Sequence, residues 1–234
     1  MIVFSWLKDR FFRLKTLLVG VAVVLLAGTL FLFPSCSKKV DYFSYVSELR
    51  DNIFLANTQE LSLRAYSLSK ESPYVADGIV REVSKRTEIY LTAPSGDKEY
   101  DLFFTVNGKR HGGDMSFDNV KGEYYYFCTL DVSALTQIEF ELVCGEETTL
   151  LCANSIVGER TISPKQALQT VVEHEGELFQ SLTDKYGFAG EIYMRLLYED
   201  APYYYVGIVD RNGNTTALLL NGETGKILAK RQTN

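Results

Sequence analysis

The chain has 234 residues, of which 46% are hydrophobic and 13% aromatic, and this composition excludes an intrinsically disordered protein. Its formal net charge is −6, and the acidic residues lie mainly after residue 33. Because an acidic body repels phosphate backbones, we expect no nucleic acid as a partner. The high count of tyrosine (15) and phenylalanine (14) favours strands.

The first predicted element is an apolar stretch at residues 16–33, TLLVGVAVVLLAGTLFLF, which has no charged side chain. As a helix it would be about 27 Å long, close to the roughly 30 Å hydrocarbon core of a bilayer. Four basic residues precede it, and by the positive-inside rule they keep the N-terminus cytoplasmic: Lys8, Arg10, Arg13 and Lys15. The pattern predicts a single-pass signal-anchor in the cell membrane, with the lipid bilayer contacting residues 16–33 and an extracytoplasmic body.

Two other interpretations of this stretch remain open at residues 34–37. Ser35 and Ser37 are small residues placed for cleavage of a signal peptide after Ser37. Cys36 lies where the lipidated cysteine of a lipoprotein would lie. With the anchor interpretation, the predicted organisation is a cytoplasmic tail at 1–15, a transmembrane helix at 16–35 and a juxtamembrane stalk at 36–58.

Residues 59–158 are predicted to form a β-sandwich. Short runs of strand-forming residues are separated by turn signals such as Asn107-Gly108 and Gly145-Glu146-Glu147. Residues 137–144, QIEFELVC, alternate apolar and acidic side chains, which is typical of a strand with one buried face. Six or seven such strands predict an antiparallel sandwich of immunoglobulin or fibronectin-III type, without the Cys…Trp…Cys signature of antibody domains.

Residues 159–234 are predicted to form an α+β unit, one helix followed by an antiparallel meander. Ser163-Pro164 is a helix start with serine as N-cap, and Gln166 completes a capping box. Strand-like runs follow at 191–198, 203–210, 215–220 and 226–230, with Asn212-Gly213 and Asn221-Gly222 between them.

This last segment resembles the PepSY family, over about 70 residues from Ser163 to the C-terminus. The resemblance rests on Pro164 and Ala167 in the helix, on residues 203–210 (YYYVGIVD) and on residues 221–228 (NGETGKIL). Asn221-Gly222 departs from the Asp-Ala pair that is common in the family. The resemblance implies a protein-binding or peptidase-inhibiting role without catalytic residues. The whole chain is similar to single-pass envelope proteins of Gram-positive bacteria.

No catalytic, cofactor or metal motif follows from the reactive residues. His174 is not followed by the second histidine of a zinc-protease motif, and His111-Gly112-Gly113 occurs without a GxSxG sequence. The cysteines of the body (Cys128, Cys144 and Cys152) are interpreted as small buried side chains, or as a disulfide between Cys128 and one of the other two. We therefore expect no enzyme, no catalytic or metal-binding residue and no cofactor.

The tyrosine triplets at 124–126 and 203–205 are the remaining feature. A strand carries successive rings on opposite faces, so one face of each triplet can be exposed. Tyr124, Tyr126, Tyr203 and Tyr205 are therefore the candidate interaction surface. The leading hypothesis is a membrane-anchored, non-enzymatic binding or regulatory protein that acts on an envelope peptidase or another envelope protein. The alternatives are a structural or assembly subunit of a membrane complex and, least favoured, a hydrolase.

Overall fold

The computed structural model describes residues 40–71, 79 and 81–233, and most of the regular secondary structure in this part is β-strand. A 3₁₀ turn at Tyr42–Tyr45 leads into β1. The strands are β1 Val46–Asn57, β2 Ser62–Glu71, β3 Val83–Thr92, β4 Asp101–Val106, β5 Lys109–Asp114, β6 Ser116–Asp118, β7 Glu123–Cys128, β8 Gln137–Cys144, β9 Glu147–Ser155, β10 Thr183–Asp184, β11 Gly187–Phe188, β12 Glu191–Tyr198, β13 Pro202–Val209, β14 Thr215–Asn221 and β15 Ile227–Thr233. The helices are α1 Pro164–His174 and α2 Gly176–Ser181.

One continuous sheet holds all strands except the small β10–β11 pair. Its main path runs β15-β14-β13-β12-β1-β2-β3-β7-β6, and β1 lies at the middle of that path. β1 pairs in parallel with β12 and antiparallel with β2, and its later half also pairs with β9. The strands β9, β8, β4 and β5 continue from that contact as a second layer. The sheet therefore folds back on itself and nearly closes around the first of two cores.

The first core lies between the two layers formed by the N-terminal part of the sheet. Alternate residues of each strand point into it, as the burial of β8 shows: Ile138, Phe140 and Leu142 are buried whereas Glu139 is exposed. Its largest fully buried side chains include Phe54, Phe140, Leu63 and Ile89. The period of two in the sequence thus becomes an inward apolar face that excludes water.

The second core lies where helix α1 packs on strands β12 to β14. The helix begins at Pro164 and has a complete capping box between Ser163 and Gln166, as the sequence predicts. Its buried residues Ala167, Leu168 and Val171 pack with a cluster of sheet residues on the same side: Ile192, Met194, Leu196, Tyr204, Val206, Ile208, Leu218 and Leu220. The opposite face of these strands carries no part of this core.

A buried polar seam fixes the loop at residues 129–136 to the sheet. The Asn52 amide donates to the carbonyls of Ser133 (3.3 Å) and Leu135 (3.2 Å), and its oxygen accepts from the Ser155 hydroxyl (2.7 Å). The Thr87 hydroxyl donates to another loop carbonyl, that of Leu130, at 2.9 Å. These bonds satisfy polar groups that would otherwise be buried without partners.

The predicted fold class is wrong, because it combined a transmembrane helix, a separate immunoglobulin-like or fibronectin-III-like sandwich and a separate PepSY-like α+β unit. The hydrogen bonds between β1 and β12 join the strands of both segments into one sheet, at Leu49–Met194 and Arg50–Arg195. The two layers of the N-terminal part also belong to that sheet, through β1 and β9. Strand pairing between residues far apart in sequence therefore overrides the modular division.

The predicted membrane anchor also requires correction. In the part of the chain that the structure describes, no helix has both the length and the apolar character to cross a bilayer. The apolar stretch at residues 16–33, on which that prediction depended, lies outside the described residues. The structure thus gives no support to a single-pass, signal-anchored membrane protein with a cytoplasmic N-terminus and an extracytoplasmic body.

Candidate functional site

The strand register gathers arginine and tyrosine side chains on the sheet face that is turned away from helix α1. Glu48 and Arg50 of β1 lie opposite Tyr193 and Arg195 of β12, whose intervening residue Met194 is in the second core. The same register extends this face to β13, β2 and β3. We call it the arginine–tyrosine face and define it by Arg50, Tyr66, Tyr90, Tyr193, Arg195 and Tyr205.

A shared carboxylate holds two cations of this face. Glu48 accepts from Arg195 Nε at 2.5 Å, and Lys70 Nζ lies 3.3 Å from its other oxygen. Burial of the Glu48 carboxyl opposes its ionisation, but Arg195 and Lys70 outweigh burial and hold the pKa of Glu48 below its ordinary value. Glu48 is therefore ionised at neutral pH and fixes the Arg195 guanidinium on the sheet.

Arg50 is held in a different way, by an aromatic ring. Its guanidinium carbon lies 4.1 Å from the centroid of Tyr66, and the Tyr66 ring lies 5.7 Å from that of Tyr90. The Nε of Arg50 is buried without a hydrogen-bond partner, and Arg50 forms no ion pair among the described residues. Burial lowers the pKa of Arg50, but guanidinium groups stay protonated at any physiological pH.

The other end of the face is a pair of tyrosines whose rings are in contact at a tilted angle. The rings of Tyr193 and Tyr205 lie 5.9 Å apart, and the Arg195 guanidinium carbon lies 5.2 Å from the Tyr193 centroid. Burial and a hydrogen bond with Tyr205 raise the pKa of Tyr193 to about 12, so its phenol stays neutral. Gly207, opposite Tyr193 in the register, leaves the space in which this ring lies.

The tyrosines selected from the sequence are placed on different surfaces. Tyr203 and Tyr205 are half-buried on the arginine–tyrosine face, by their pairing with Leu197 and Arg195. Tyr124 is only 2% exposed, and its hydroxyl donates to the Lys98 carbonyl at 2.6 Å. Tyr126 is half-buried against the first core, so neither of these two lies on the same surface as Tyr203.

The exposed rings of strand β7 are instead Tyr125 and Phe127, with 38% and 66% of their surface accessible. They pair with Tyr90 and Glu88, which places them on the arginine–tyrosine face. Reasoning from sequence missed them, and it also missed Arg50 and Arg195. The only signal was the alternation within each strand, which says that a residue faces outward and does not say which strands adjoin.

The reactive side chains lie apart from one another. The His111 ring stacks on Phe104 at 5.7 Å, whereas His174 contacts the Glu175 carboxylate at 2.9 Å. Cys128, Cys144 and Cys152 are free thiols. Across residues 40–71 and 81–233, no group of three or more histidine, cysteine or acidic side chains could hold a metal ion. The thiols are free, so they do not form the disulfide that one interpretation allowed.

Neither a family model, nor a curated protein sequence, nor a solved structure matches this chain. The PepSY resemblance of residues 163–234 stays a prediction from the sequence. The chemistry of the arginine–tyrosine face is the remaining indication of function. Its guanidinium groups can donate to carboxylate or phosphate oxygens, and its rings provide flat apolar contact with a polar edge.

Proposed function

We propose that this chain is a non-enzymatic binding protein that recognises another protein through the arginine–tyrosine face. The observation that carries this proposal is the alternation of guanidinium groups and phenol rings over adjacent strands, with Arg50 on Tyr66 and Arg195 on Tyr193. Arginine and tyrosine are, with tryptophan, the side chains enriched at the energetic centres of protein interfaces.

The scaffold under this face favours binding with little ordering cost. Strands β1 and β12 carry it, and their opposite side is fixed by fully buried residues such as Ile192 and Met194. Arg195 is held by Glu48, and Arg50 by Tyr66, before any partner arrives. A preorganised surface loses less side-chain entropy on association, so more of the contact energy is available for affinity.

The PepSY resemblance of residues 163–234 suggests what to test first as a partner. Proteins with such domains are proposed to bind or inhibit peptidases, so a peptidase is the first partner class to assay. Binding at the arginine–tyrosine face would then regulate that enzyme without chemistry by this chain. Tyr203 and Tyr205, which were selected from the sequence, belong to this surface.

Site-specific photo-crosslinking in the native cells tests the proposal. A photoreactive phenylalanine derivative replaces Tyr125 at one end of the face, and in a matched variant it replaces Leu150, which is 78% exposed on the second layer. We expect a discrete protein adduct from position 125, no adduct from position 150, and loss of the adduct on adding Arg195→Glu. Equal labelling from both positions would contradict the proposal. So would an adduct whose yield Arg195→Glu does not change.

A further inference from the structure

Two arginines lie directly opposite each other at the centre of the arginine–tyrosine face. Arg50 of β1 is the register partner of Arg195 of β12, and Leu68 and Arg86 continue the same line across β2 and β3. Like charges that lie directly opposite each other destabilise a sheet. The arrangement therefore carries a cost in the unliganded protein that an anion between the two guanidinium groups would remove.

The local charge balance is positive although the chain is acidic. Arg195 and Lys70 both contact the carboxylate of Glu48, whereas Arg50 has no ion pair among the described residues. Glu48 and Glu88, on strands β1 and β3, act on Arg50 through space without forming an ion pair with it. Arg50, Lys70, Arg86 and Arg195 thus face three carboxylates here, those of Glu48, Glu88 and Glu191, on a chain whose net charge is −6.

Resting on the function proposed above, we infer that Arg50 and Arg195 together bind a carboxylate of an acidic peptide segment in the partner protein. The planar guanidinium forks suit bidentate contact with a carboxylate. Tyr66 and Tyr193 flank the site and contact the apolar parts of the neighbouring peptide residues. Glu48 keeps Arg195 in place. Its negative charge also repels any further carboxylate of the peptide that comes close to Glu48.

The extent of the face favours a peptide over a small anion. From Tyr205 on β13 to Tyr90 on β3 the face crosses four strand spacings, about 19 Å at 4.8 Å each, which is the length of roughly six extended residues. The tyrosine rings along this length have no role toward an isolated phosphate.

Fluorescence anisotropy with a labelled hexaglutamate peptide tests the inference on the full chain. We expect saturable binding to the wild type that weakens at least about tenfold in Arg50→Gln and in Arg195→Gln. The matched control is Arg160→Gln, because this exposed arginine pairs with Glu223 in a loop outside the face, and binding should be unchanged. Labelled hexaglutamine and hexalysine should not bind, and inorganic phosphate should compete only weakly.

A second measurement separates binding from folding. Because Arg50 opposes Arg195 and has no carboxylate partner, Arg50→Gln should leave the urea midpoint of unfolding unchanged or raise it. If Arg50→Gln lowers this midpoint and leaves peptide binding unchanged, Arg50 has a structural role and the inference is overturned. Absence of hexaglutamate binding, or equal competition by phosphate, would also overturn it. A crosslink from position 125 that survives such a result would leave the proposed function standing.

Discussion

The replacement of Gly207 by alanine tests the geometry of the arginine–tyrosine face most directly. A Cβ atom at this position would lie 2.0 Å from Cζ of Tyr193 and 2.4 Å from both its Cε1 and its hydroxyl oxygen. The backbone of Gly207 does not adopt a positive φ, so alanine meets no backbone strain. The effect of Gly207→Ala therefore reports on the Tyr193 ring alone.

The expected cost follows from what the displaced ring loses. Tyr193 would leave its contact with Tyr205, and an aromatic pair contributes about 0.5–1.5 kcal/mol. Its burial on the sheet is also reduced, which adds a cost of similar size, whereas replacing glycine by alanine returns about 0.4–1 kcal/mol through the unfolded state. We expect Gly207→Ala to lower the free energy of unfolding by about 1–2 kcal/mol, within the range known for overpacking.

Urea unfolding of a double-mutant cycle provides the assay. In a Tyr193→Ala background the obstructing ring is gone, so Gly207→Ala should be neutral or stabilise by about 0.5 kcal/mol. The coupling energy between the two positions should then be about 1.5–2.5 kcal/mol. If Gly207→Ala stabilises the wild type as much as it stabilises Tyr193→Ala, the ring does not lie over Gly207, and the described face is incorrect.

Three further substitutions have defined outcomes in urea unfolding. Asn52→Ala leaves two partly buried loop carbonyls without their donor and should cost about 1–3 kcal/mol; a loss below about 0.5 kcal/mol would refute the polar seam. Because the pKa of Glu48 is held below its ordinary value, its stabilisation is present at neutral pH and is lost as the pH falls through its folded pKa. Glu48→Gln should thus cost about 1 kcal/mol at pH 7, and a deficit that persists once the pH lies below the folded pKa of Glu48 would argue against the pairing with Arg195 and Lys70. Burial raises the pKa of Asp51, so its ionised form destabilises the fold, and Asp51→Asn should raise the urea midpoint at neutral pH but not at acid pH; a lower midpoint at neutral pH would contradict this.

The sequence by itself determined the local elements that have a strong period or a cap. The alternation in residues 137–144 predicts strand β8 and its buried side chains, and the Ser163-Pro164-x-Gln166 pattern predicts the start of helix α1. The predicted runs 191–198, 203–210 and 215–220 agree with β12, β13 and β14 to within one residue at each end. These features depend on neighbours within a few positions, so the residue pattern contains the information.

Where the helical and strand signals compete, tertiary pairing decided the outcome. The spacing of Tyr42, Tyr45, Val46 and Leu49 favours a helix, yet only Tyr42–Tyr45 forms a helical turn and β1 begins at Val46. Hydrogen bonds from β2, β9 and β12 hold this segment extended. None of these partners can be inferred from the segment itself, because they lie up to about 150 residues away in the chain.

The candidate site shows most clearly which features the sequence determines and which the tertiary structure determines. Alternation predicts that every second residue of a strand shares a face, and Tyr203 and Tyr205 were selected on that basis. Only the parallel pairing of β1 with β12 places Arg50 opposite Arg195, 145 positions apart, and brings Tyr66 and Tyr193 to either side of them. The residue types come from the sequence, whereas their juxtaposition depends on which strands exchange backbone hydrogen bonds. That pairing of strands depends in turn on the burial of both hydrophobic cores together.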